Sequence, residues 1–260
     1  MAGLTGKTPK ATYKDLLQVD NNNSGISASP QAVKDGAGVT SALKVSTDEV
    51  EVTPVSDSAT AFRVTNAGGG TEMFLIDTSN SNVKALTHHV NTQYVYYGTS
   101  STDEIPSTGN THTAIPFGSV FGSNTEVTFG TGTNPATSLT ISTTADDVLG
   151  AIWYVPDNIT VDAVYVWVAG DTATGDTVKF HLMSYTIVTA DGATCGDLSS
   201  GTVIADGADI THDGYEQADY QSMTVQSADI DAGKAVLFMV HANGTNSDYT
   251  VSATIKYHNR

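Results

Sequence analysis

The chain has 260 residues, of which 11 are basic and 28 are acidic, so its formal net charge is −17. Hydrophobic residues make up 39% of the sequence and aromatic residues 8%, which is compatible with a folded core and excludes a disordered chain. The excess of carboxylates repels phosphate backbones and anionic lipids, and the sequence has no long apolar run. We therefore expect neither nucleic-acid binding nor membrane insertion.

The cysteine content and the start of the sequence bear on where the chain folds. Cys195 is the single cysteine, so an intramolecular disulfide is excluded. No charged segment followed by an apolar one comes after Met1. We therefore expect the protein to fold in a reducing cytoplasm.

Residues 1–40 are predicted to be an arm without a core of its own. Tyr13, Leu16 and Leu17 have the i, i+3, i+4 spacing of one helical face, for one or two turns at most. Residues 20–40 are rich in turn-forming residues and contain no apolar run of strand length, so we expect them to be extended or looped.

Residues 41–83 read as short strands separated by turns, and they contain a weak internal repeat. The segment at 42–46 matches the segment at 61–65, nineteen positions later, in the order small, apolar, basic, valine, hydroxyl. Two such hairpins bury too little surface to be stable alone, so we predict that other copies of the chain cover their apolar face. The predicted core of this shaft consists of Leu43, Val45, Phe62, Val64, Phe74 and Ile76.

The rest of the chain is predicted to be a connecting region followed by a β-sandwich. Residues 84–145 mix short apolar runs with long stretches of Ser, Thr, Gly and Pro, which indicates a connector with a few short strands. Residues 146–260 contain seven or eight β-branched or aromatic runs separated by turns, a pattern typical of a sandwich or jelly roll. The predicted core positions are Ile152, Tyr154, Val164, Val166, Val168, Phe180, Leu182, Leu237, Met239, Val251 and Ile255.

One predicted strand carries two aromatic residues on the face opposite its valines. If Val164, Val166 and Val168 are core, alternation sends Tyr165 and Trp167 outward. Such rings are covered by a neighbouring subunit or another strand, or they stack on a sugar. The sequence leaves both interpretations open, and it makes this pair the candidate glycan contact.

Nucleotide and metal sites are not predicted. Residues 3–8 superficially resemble a phosphate-binding loop, but the spacing of the two glycines is wrong and Pro9 breaks the helix that would follow. His88 and His89 are adjacent, so on a strand they point to opposite faces. Asp206, Asp209 and Asp213 lack the spacing of a known calcium loop, and solvated carboxylates are the favoured interpretation.

Catalysis is not predicted either. A glycosidase needs two carboxylates at a set separation, and no pair stands out among the 28 acidic residues. Cys195 has no flanking base or helix start that would lower its pKa. We therefore expect a protein without catalytic residues and without a cofactor.

Three stretches carry a resemblance to a known family. They are "KATYKDLLQVDNNNSGI", "VKDGAGVTSALKVSTDEVEV" and "AFRVTNAGGGTEMFLIDTSNSNV", and the resemblance covers roughly residues 7–83. Together with the order of arm, repeat and sandwich, they resemble fibre-like virion structural proteins of tailed bacteriophages, especially those of marine phages.

The resemblance implies a short homotrimeric fibre or capsid decoration. In that family the N-terminal arm docks onto capsid or tail proteins, which gives Tyr13, Leu16 and Leu17 an anchoring role here. The repeat forms an intertwined trimeric shaft, and the C-terminal domain projects from a particle assembled in the host cytoplasm. The chain is shorter than long receptor-binding fibres, so a head fibre, a vertex decoration and a tail spike all remain open. The alternative function is binding of host cell-surface glycan at the fibre tip.

Overall fold

The fold is described from a computed structural model, over residues 16–22, 24–99, 109–118, 127–141, 148–170, 174–213, 217–243 and 249–260. It is mainly β, as predicted, and every pair of neighbouring strands in its sheets is antiparallel. The chain divides into two compact units, Met1–Val90 and Asn91–Arg260. Within the described residues, no helix is long and apolar enough to cross a membrane.

The first unit begins with a meander of four short strands. Leu43 lies opposite Val52 and Val45 lies opposite Val50, so the apolar residues of the first repeat share one face. Residues 31–34 form a strand within the segment that we expected to be extended or looped; a four-residue strand with a single large apolar residue gives too weak a periodic signal to be identified as a strand from sequence. The strands are β1 (Gln18–Val19), β2 (Gln31–Lys34), β3 (Thr40–Val45) and β4 (Val50–Val52), in that order across the sheet.

A second meander follows in the same unit. Phe62 lies opposite Ile76 and Val64 lies opposite Phe74, and the rings of Phe62 and Phe74 meet edge to face with centroids 6.3 Å apart. Leu75 points to the other face and is the buried apolar residue among the described residues of this unit. The strands are β5 (Phe62–Thr65), β6 (Glu72–Asp77), β7 (Asn82–Ala85) and β8 (His88–His89), again in sequential order.

The second unit contains two larger sheets, and the first of them has five strands. Its two central strands are β12 (Ile159–Gly170) and β20 (Tyr249–Asn259), which pair over most of their length with an irregularity between Val161 and Ala163. Across the sheet the order is β16 (Gln217–Ser222), β12 (Ile159–Gly170), β20 (Tyr249–Asn259) and β9 (Thr92–Gly98), and β18 (Asp229–Ile230) pairs with the start of β12.

The other sheet of this unit has seven strands. Two of them are long, β13 (Thr174–Ile187) and β19 (Lys234–Ala242), and each of these pairs along one side with two shorter strands in succession. Across the sheet the order is β10 (Thr111–Ile115), β19 (Lys234–Ala242), β13 (Thr174–Ile187), β14 (Leu198–Asp206) and β17 (Thr224–Val225), with β11 (Trp153–Val155) beside β19 and β15 (Ile210–Asp213) beside β13.

The two sheets share a hydrophobic core, which makes the second unit a β-sandwich. The valines of β12 at 164, 166 and 168 are fully buried and lie in one cluster with Phe180 and Leu182 of β13. This unit includes β9 and β10 and starts at Asn91, whereas the predicted sandwich starts at residue 146 and these two strands fall in the predicted connector. Short strands embedded in Ser, Thr and Gly give little sign in sequence that they complete distant sheets.

A second core lies on the other face of the seven-stranded sheet. Leu237 and Met239 of β19 are buried there, while Val236 and Phe238 face the shared core. Residues 127–141 and 148–151 cover this face, so β19 is buried on both sides and reads as one continuous apolar run. The prediction that Leu237 and Met239 are core residues is confirmed, but they belong to this second core and not to the core that the two sheets share.

The prediction that Tyr154 belongs to the core is wrong. Trp153 and Val155 are buried, and the Tyr154 side chain between them is half exposed. A three-residue strand with three large apolar side chains gives no alternation in sequence, so its inward face is decided by how β11 pairs with β19.

Candidate functional site

The outer face of the five-stranded sheet carries an exposed aromatic surface. Alternation along β12 buries the valines and turns Tyr165 and Trp167 outward, as predicted. The Trp167 side chain is 53% exposed. This is a large solvent-exposed apolar surface for a residue on an inner strand of the sheet.

Tyr220 of the neighbouring strand β16 completes this group. In the strand register Tyr220 lies directly opposite Trp167, and Ser222 lies opposite Tyr165. The Tyr220 ring centroid is 5.1 Å from that of Trp167 and 6.3 Å from that of Tyr165, nearly parallel to the latter at 18°. Ring contacts of this kind hold the three side chains in a preformed row. We call Tyr165, Trp167 and Tyr220 the first aromatic row.

A second pair of exposed tyrosines stands on the other side of the same face. Tyr94 and Tyr96 on β9 are each 52% exposed. Their strand is separated from β12 by β20 alone, so the two rows are about 10 Å apart at the usual strand spacing. Tyr96 is aligned with Thr254, and Thr254 with Tyr165, so the rows face each other across a single residue. We call Tyr94 and Tyr96 the second aromatic row.

Between the two rows, β20 presents short polar side chains, which we call the hydroxyl strip. β20 places Ser252 and Thr254 on this face, and its alternate residues Val251, Ala253 and Ile255 are buried. Ser252 lies between Trp167 on one side and Gly98 on the other, and Gly98 has no side chain to fill the strip. The hydroxyl groups of the strip can donate and accept hydrogen bonds.

A groove opens at one end of this strip, beside Trp167. Its volume is about 310 Å³. Short side chains make up most of its lining, and Trp167 is the single aromatic residue in its wall. The groove is lined by Thr99, Trp167, Val168, Ala169, Ala218, Thr250, Val251 and Ser252.

The centre of this face is uncharged. Among the described residues, the outward side chains of β12 from Tyr165 onward, of β16, and of β20 from Thr250 to Thr254 are aromatic rings, hydroxyls and alanines. Lys256 follows at the end of the strip, beside Tyr94 in the register. The chemistry available at the centre is therefore ring stacking and hydroxyl hydrogen bonding.

The sequence predicted part of this surface and missed the rest. Tyr165 and Trp167 were predicted to face outward together, and they do. Tyr94 and Tyr96 alternate with Val95 and Tyr97, a signal from which their common face could have been read. The proximity of Tyr220 to Trp167 has no such signal, because the two strands are far apart in the chain.

A different kind of cluster lies on the second-core face of the seven-stranded sheet. The imidazole of His112 on β10 has its centroid 5.0 Å from that of His181 on β13 and 4.6 Å from that of His241 on β19. His112 and His181 are completely buried. Burial lowers the pKa of His112, and it lowers the pKa of His181 to about 3, with the nearby histidines and the Lys179 ammonium adding repulsion.

The buried histidines have few polar partners. Nδ1 of His112 lies 3.2 Å from the carbonyl oxygen of Gly130. Nδ1 of His181 lies 3.0 Å from Oδ1 of Asp206, but the two groups are not aligned for a hydrogen bond. Asp206 also lies 3.3 Å from Nζ of Lys179, so this carboxylate, one of the three considered for calcium, has a cation beside it. The described histidine nitrogens here do not converge on a common point at metal-ligand distance. His112 and His181 are therefore neutral imidazoles at neutral pH.

The predicted shaft and anchor residues lie in the first unit. Tyr13 is outside the described residues, and Leu16 and Leu17 precede β1 and are exposed. The structure brings the shaft residues of each repeat onto a common face of their own sheet and leaves that face partly exposed. Those residues are Leu43 and Val45 in the first sheet, and Phe62, Val64, Phe74 and Ile76 in the second.

Comparison with known proteins adds no relative to this description. No family model matches the chain, and no curated protein is significantly similar to it in sequence.

Proposed function

We propose that this chain is a non-enzymatic structural protein of a tailed-phage virion. It forms a short homotrimeric fibre or decoration, docks on capsid or tail proteins through residues 1–40, and projects the β-sandwich outward. It is assembled in the host cytoplasm and carried on the particle. The support from sequence is the family resemblance of roughly residues 7–83, and the support from structure is the exposed apolar surface of the first unit.

That exposed surface is the observation that carries the proposal. Phe62 is 41% exposed and Val64 is 44% exposed, although both lie on the apolar face of a strand. Thin four-stranded meanders with an uncovered apolar face have little stability of their own. Each 100 Å² of apolar surface that another copy covered would contribute roughly 2.5 kcal/mol before ordering costs. Assembly therefore supplies the core that a single chain lacks.

The opposite face of each meander is already satisfied by charge pairs. Nζ of Lys44 lies 2.9 Å from Glu51, and the guanidinium of Arg63 lies 3.5 Å from Glu72. These two basic residues occupy equivalent positions of the repeat, and each pairs with an acid on the next strand. The charged side chains of this face thus suit solvent, although Leu75 is buried on the same face of the second meander, and the apolar face suits contact with other copies.

The test of assembly is the native mass of the full chain by light scattering. We expect a particle near three times the 27.1 kDa chain mass. Carboxylates introduced by Phe62→Asp together with Val64→Asp would be buried without a partner in the trimer, so this variant is expected to be monomeric. Val55→Asp is the matched control, because Val55 is fully exposed in a loop. A wild-type monomer at micromolar concentration would contradict the proposal.

The test of anchoring uses the exposed leucines. Deletion of residues 1–17 removes Leu16 and Leu17 but keeps β1, so the trimer should persist. We expect the truncated protein to be absent from purified particles that otherwise carry the full chain. Particles that incorporate both forms equally would contradict an anchoring role for this segment.

A second function is favoured by the two aromatic rows. We propose that the sandwich binds host cell-surface glycan through Tyr165 and Trp167. Stacking of a sugar on an aromatic ring suits side chains that are already ordered by ring contacts. Binding of the fluorescently labelled full chain to host cells, and its loss with Trp167→Ala, is the measurement that checks this function.

A further inference from the structure

The geometry points to a specific ligand class for the outer face of the five-stranded sheet: an extended, uncharged polysaccharide chain lying across both aromatic rows. This inference rests on the glycan-binding function proposed above and deepens it. It adds Tyr220 and Tyr96 to the site, and it adds the hydroxyl strip of β20 between them.

The spacing of the rows requires a ligand longer than one sugar. In the first row the ring of Tyr220 contacts those of Tyr165 and Trp167, and the second row is about 10 Å away across β20. A single pyranose ring covers one row at a time. A chain of several sugar units reaches both rows and places its middle hydroxyl groups over Ser252 and Thr254.

The side chains of the strip match the two kinds of surface that a sugar offers. A pyranose has apolar C–H faces, which stack on aromatic rings, and equatorial hydroxyls, which pair with hydroxyl side chains. Ring contacts within the first row hold Trp167 and Tyr220 in place before the ligand arrives, so little conformational entropy is lost on binding. The missing side chain at Gly98 leaves room for the ligand next to Ser252.

Charge decides which polysaccharides fit. The centre of the face carries no charged side chain among its described residues, and the whole chain has a net charge of −17. A polyuronate or a sulfated glycan would be repelled by that field, and among the described residues it would find one cation, Lys256 at the end of the strip, and none at the centre of the face. A neutral glycan has no such penalty. We therefore expect discrimination by charge before discrimination by sugar identity.

The test measures binding of the full chain to defined polysaccharides by affinity electrophoresis and calorimetry. The neutral probes are laminarin, dextran and hydroxyethyl cellulose, and the anionic probe is alginate. We expect binding to at least one neutral probe and none to alginate. Binding of a neutral hexasaccharide should be at least about tenfold tighter than that of the disaccharide, because only the longer ligand contacts both rows.

Variants locate the site. Trp167→Ala should weaken binding about tenfold or more, and Tyr96→Ala should weaken it by a smaller factor, since each removes one stacking ring. Trp167→Phe keeps a ring and should restore binding to within about threefold of wild type. Tyr154→Ala is the matched control, because Tyr154 is an equally exposed aromatic residue on the other sheet. Unchanged circular dichroism and melting temperature show that each variant is folded.

Several outcomes overturn the inference. Binding to none of the neutral probes overturns it, and so does equal loss with Trp167→Ala and Tyr154→Ala. Preference for alginate, with dependence on Trp167, overturns the neutral ligand but leaves glycan binding intact. A change in native mass with Trp167→Ala, without any polysaccharide binding, assigns the face to contact between copies. The native-mass measurement of the wild type is independent of all of these, so failure of the trimer would be seen separately.

Discussion

The two units of this protein use the same alternation of apolar and polar residues and end with opposite surfaces. In the second unit, β12 and β19 turn their apolar residues into cores that other elements close. In the first unit, β3 and β5 turn theirs onto sheet faces that stay partly exposed. The difference teaches that alternation defines a face but does not supply its cover. The sandwich covers its apolar faces within the chain, whereas the described residues of the meanders leave theirs partly exposed.

The largest expected effect is loss of a core ring in the second unit. Phe238 is fully buried and stacks on Phe180 at 5.6 Å, so Phe238→Ala should lower the free energy of unfolding by about 3–5 kcal/mol. Urea unfolding followed by tryptophan fluorescence measures this, because both tryptophans of the chain lie in the second unit. Tyr154→Ala changes a half-exposed side chain and should lower the free energy of unfolding far less. An equal decrease for the two variants would contradict the closed core.

The buried histidines should make the second unit sensitive to acid. The folded-state pKa of His181 lies at about 3, well below its ordinary value of 6.5, because burial disfavours the charged ring. The unfolded chain therefore binds a proton that the folded chain does not, so the free energy of unfolding falls as pH drops from 6.5 towards 3 and is unaffected by this group above 6.5.

The matched variants for this pH dependence are His181→Leu and His88→Leu. His181 is surrounded by His112, His241, Lys179 and Asp206. Its replacement by leucine removes one buried imidazole, which takes up a proton in the unfolded chain before it does so in the folded chain. The stability profile of His181→Leu should be flatter than wild type between pH 6.5 and 4, whatever its absolute stability. His88 is exposed in the first unit, and its variant should follow the wild-type profile. Parallel profiles for all three proteins would contradict the prediction.

Protein concentration should separate the two units in thermal unfolding. If other copies cover the first unit, its stability should rise by roughly 1 kcal/mol per chain for each tenfold increase in concentration, by mass action in a trimer. The second unit is closed within one chain, so its transition should not move. Calorimetry at a series of protein concentrations measures the thermal transitions of both units. A single transition that is independent of concentration would mean that the exposed apolar face of the first unit is not an interface.

The smallest effect is expected for the charge pairs on the polar faces of the meanders. Lys44→Ala removes the contact with Glu51, and both side chains are partly exposed. Solvent-screened pairs of this kind contribute little to stability, so native mass and melting temperature should change little. Val45→Asp, on the apolar face of the same strand, is the contrasting variant. A larger effect for Lys44→Ala than for Val45→Asp would reverse the assignment of the two faces.

Only part of the candidate site could be predicted from the sequence. Tyr165 and Trp167 could be placed on an outer face because three valines alternate with them along twelve residues of one strand. Tyr220 could not be placed beside them, because its pairing with Trp167, 53 positions earlier in the chain, is a register that the whole sheet sets. The same holds for His112, His181 and His241, which come from three separate strands and meet through the order of the seven-stranded sheet.

By itself, the sequence determined the mainly β fold, the inward valines of β12, the outward Tyr165 and Trp167, and the equivalent strands at residues 42–46 and 61–65. These follow from local periodicity and turn chemistry, which act within a few residues. Only the tertiary structure decided that β9 and β10 belong to the sandwich, that β19 is buried on both faces, and that two aromatic rows flank the hydroxyl strip of β20. Those outcomes depend on pairing and layering between distant segments, where the free energy comes from long-range burial that no short window of sequence contains.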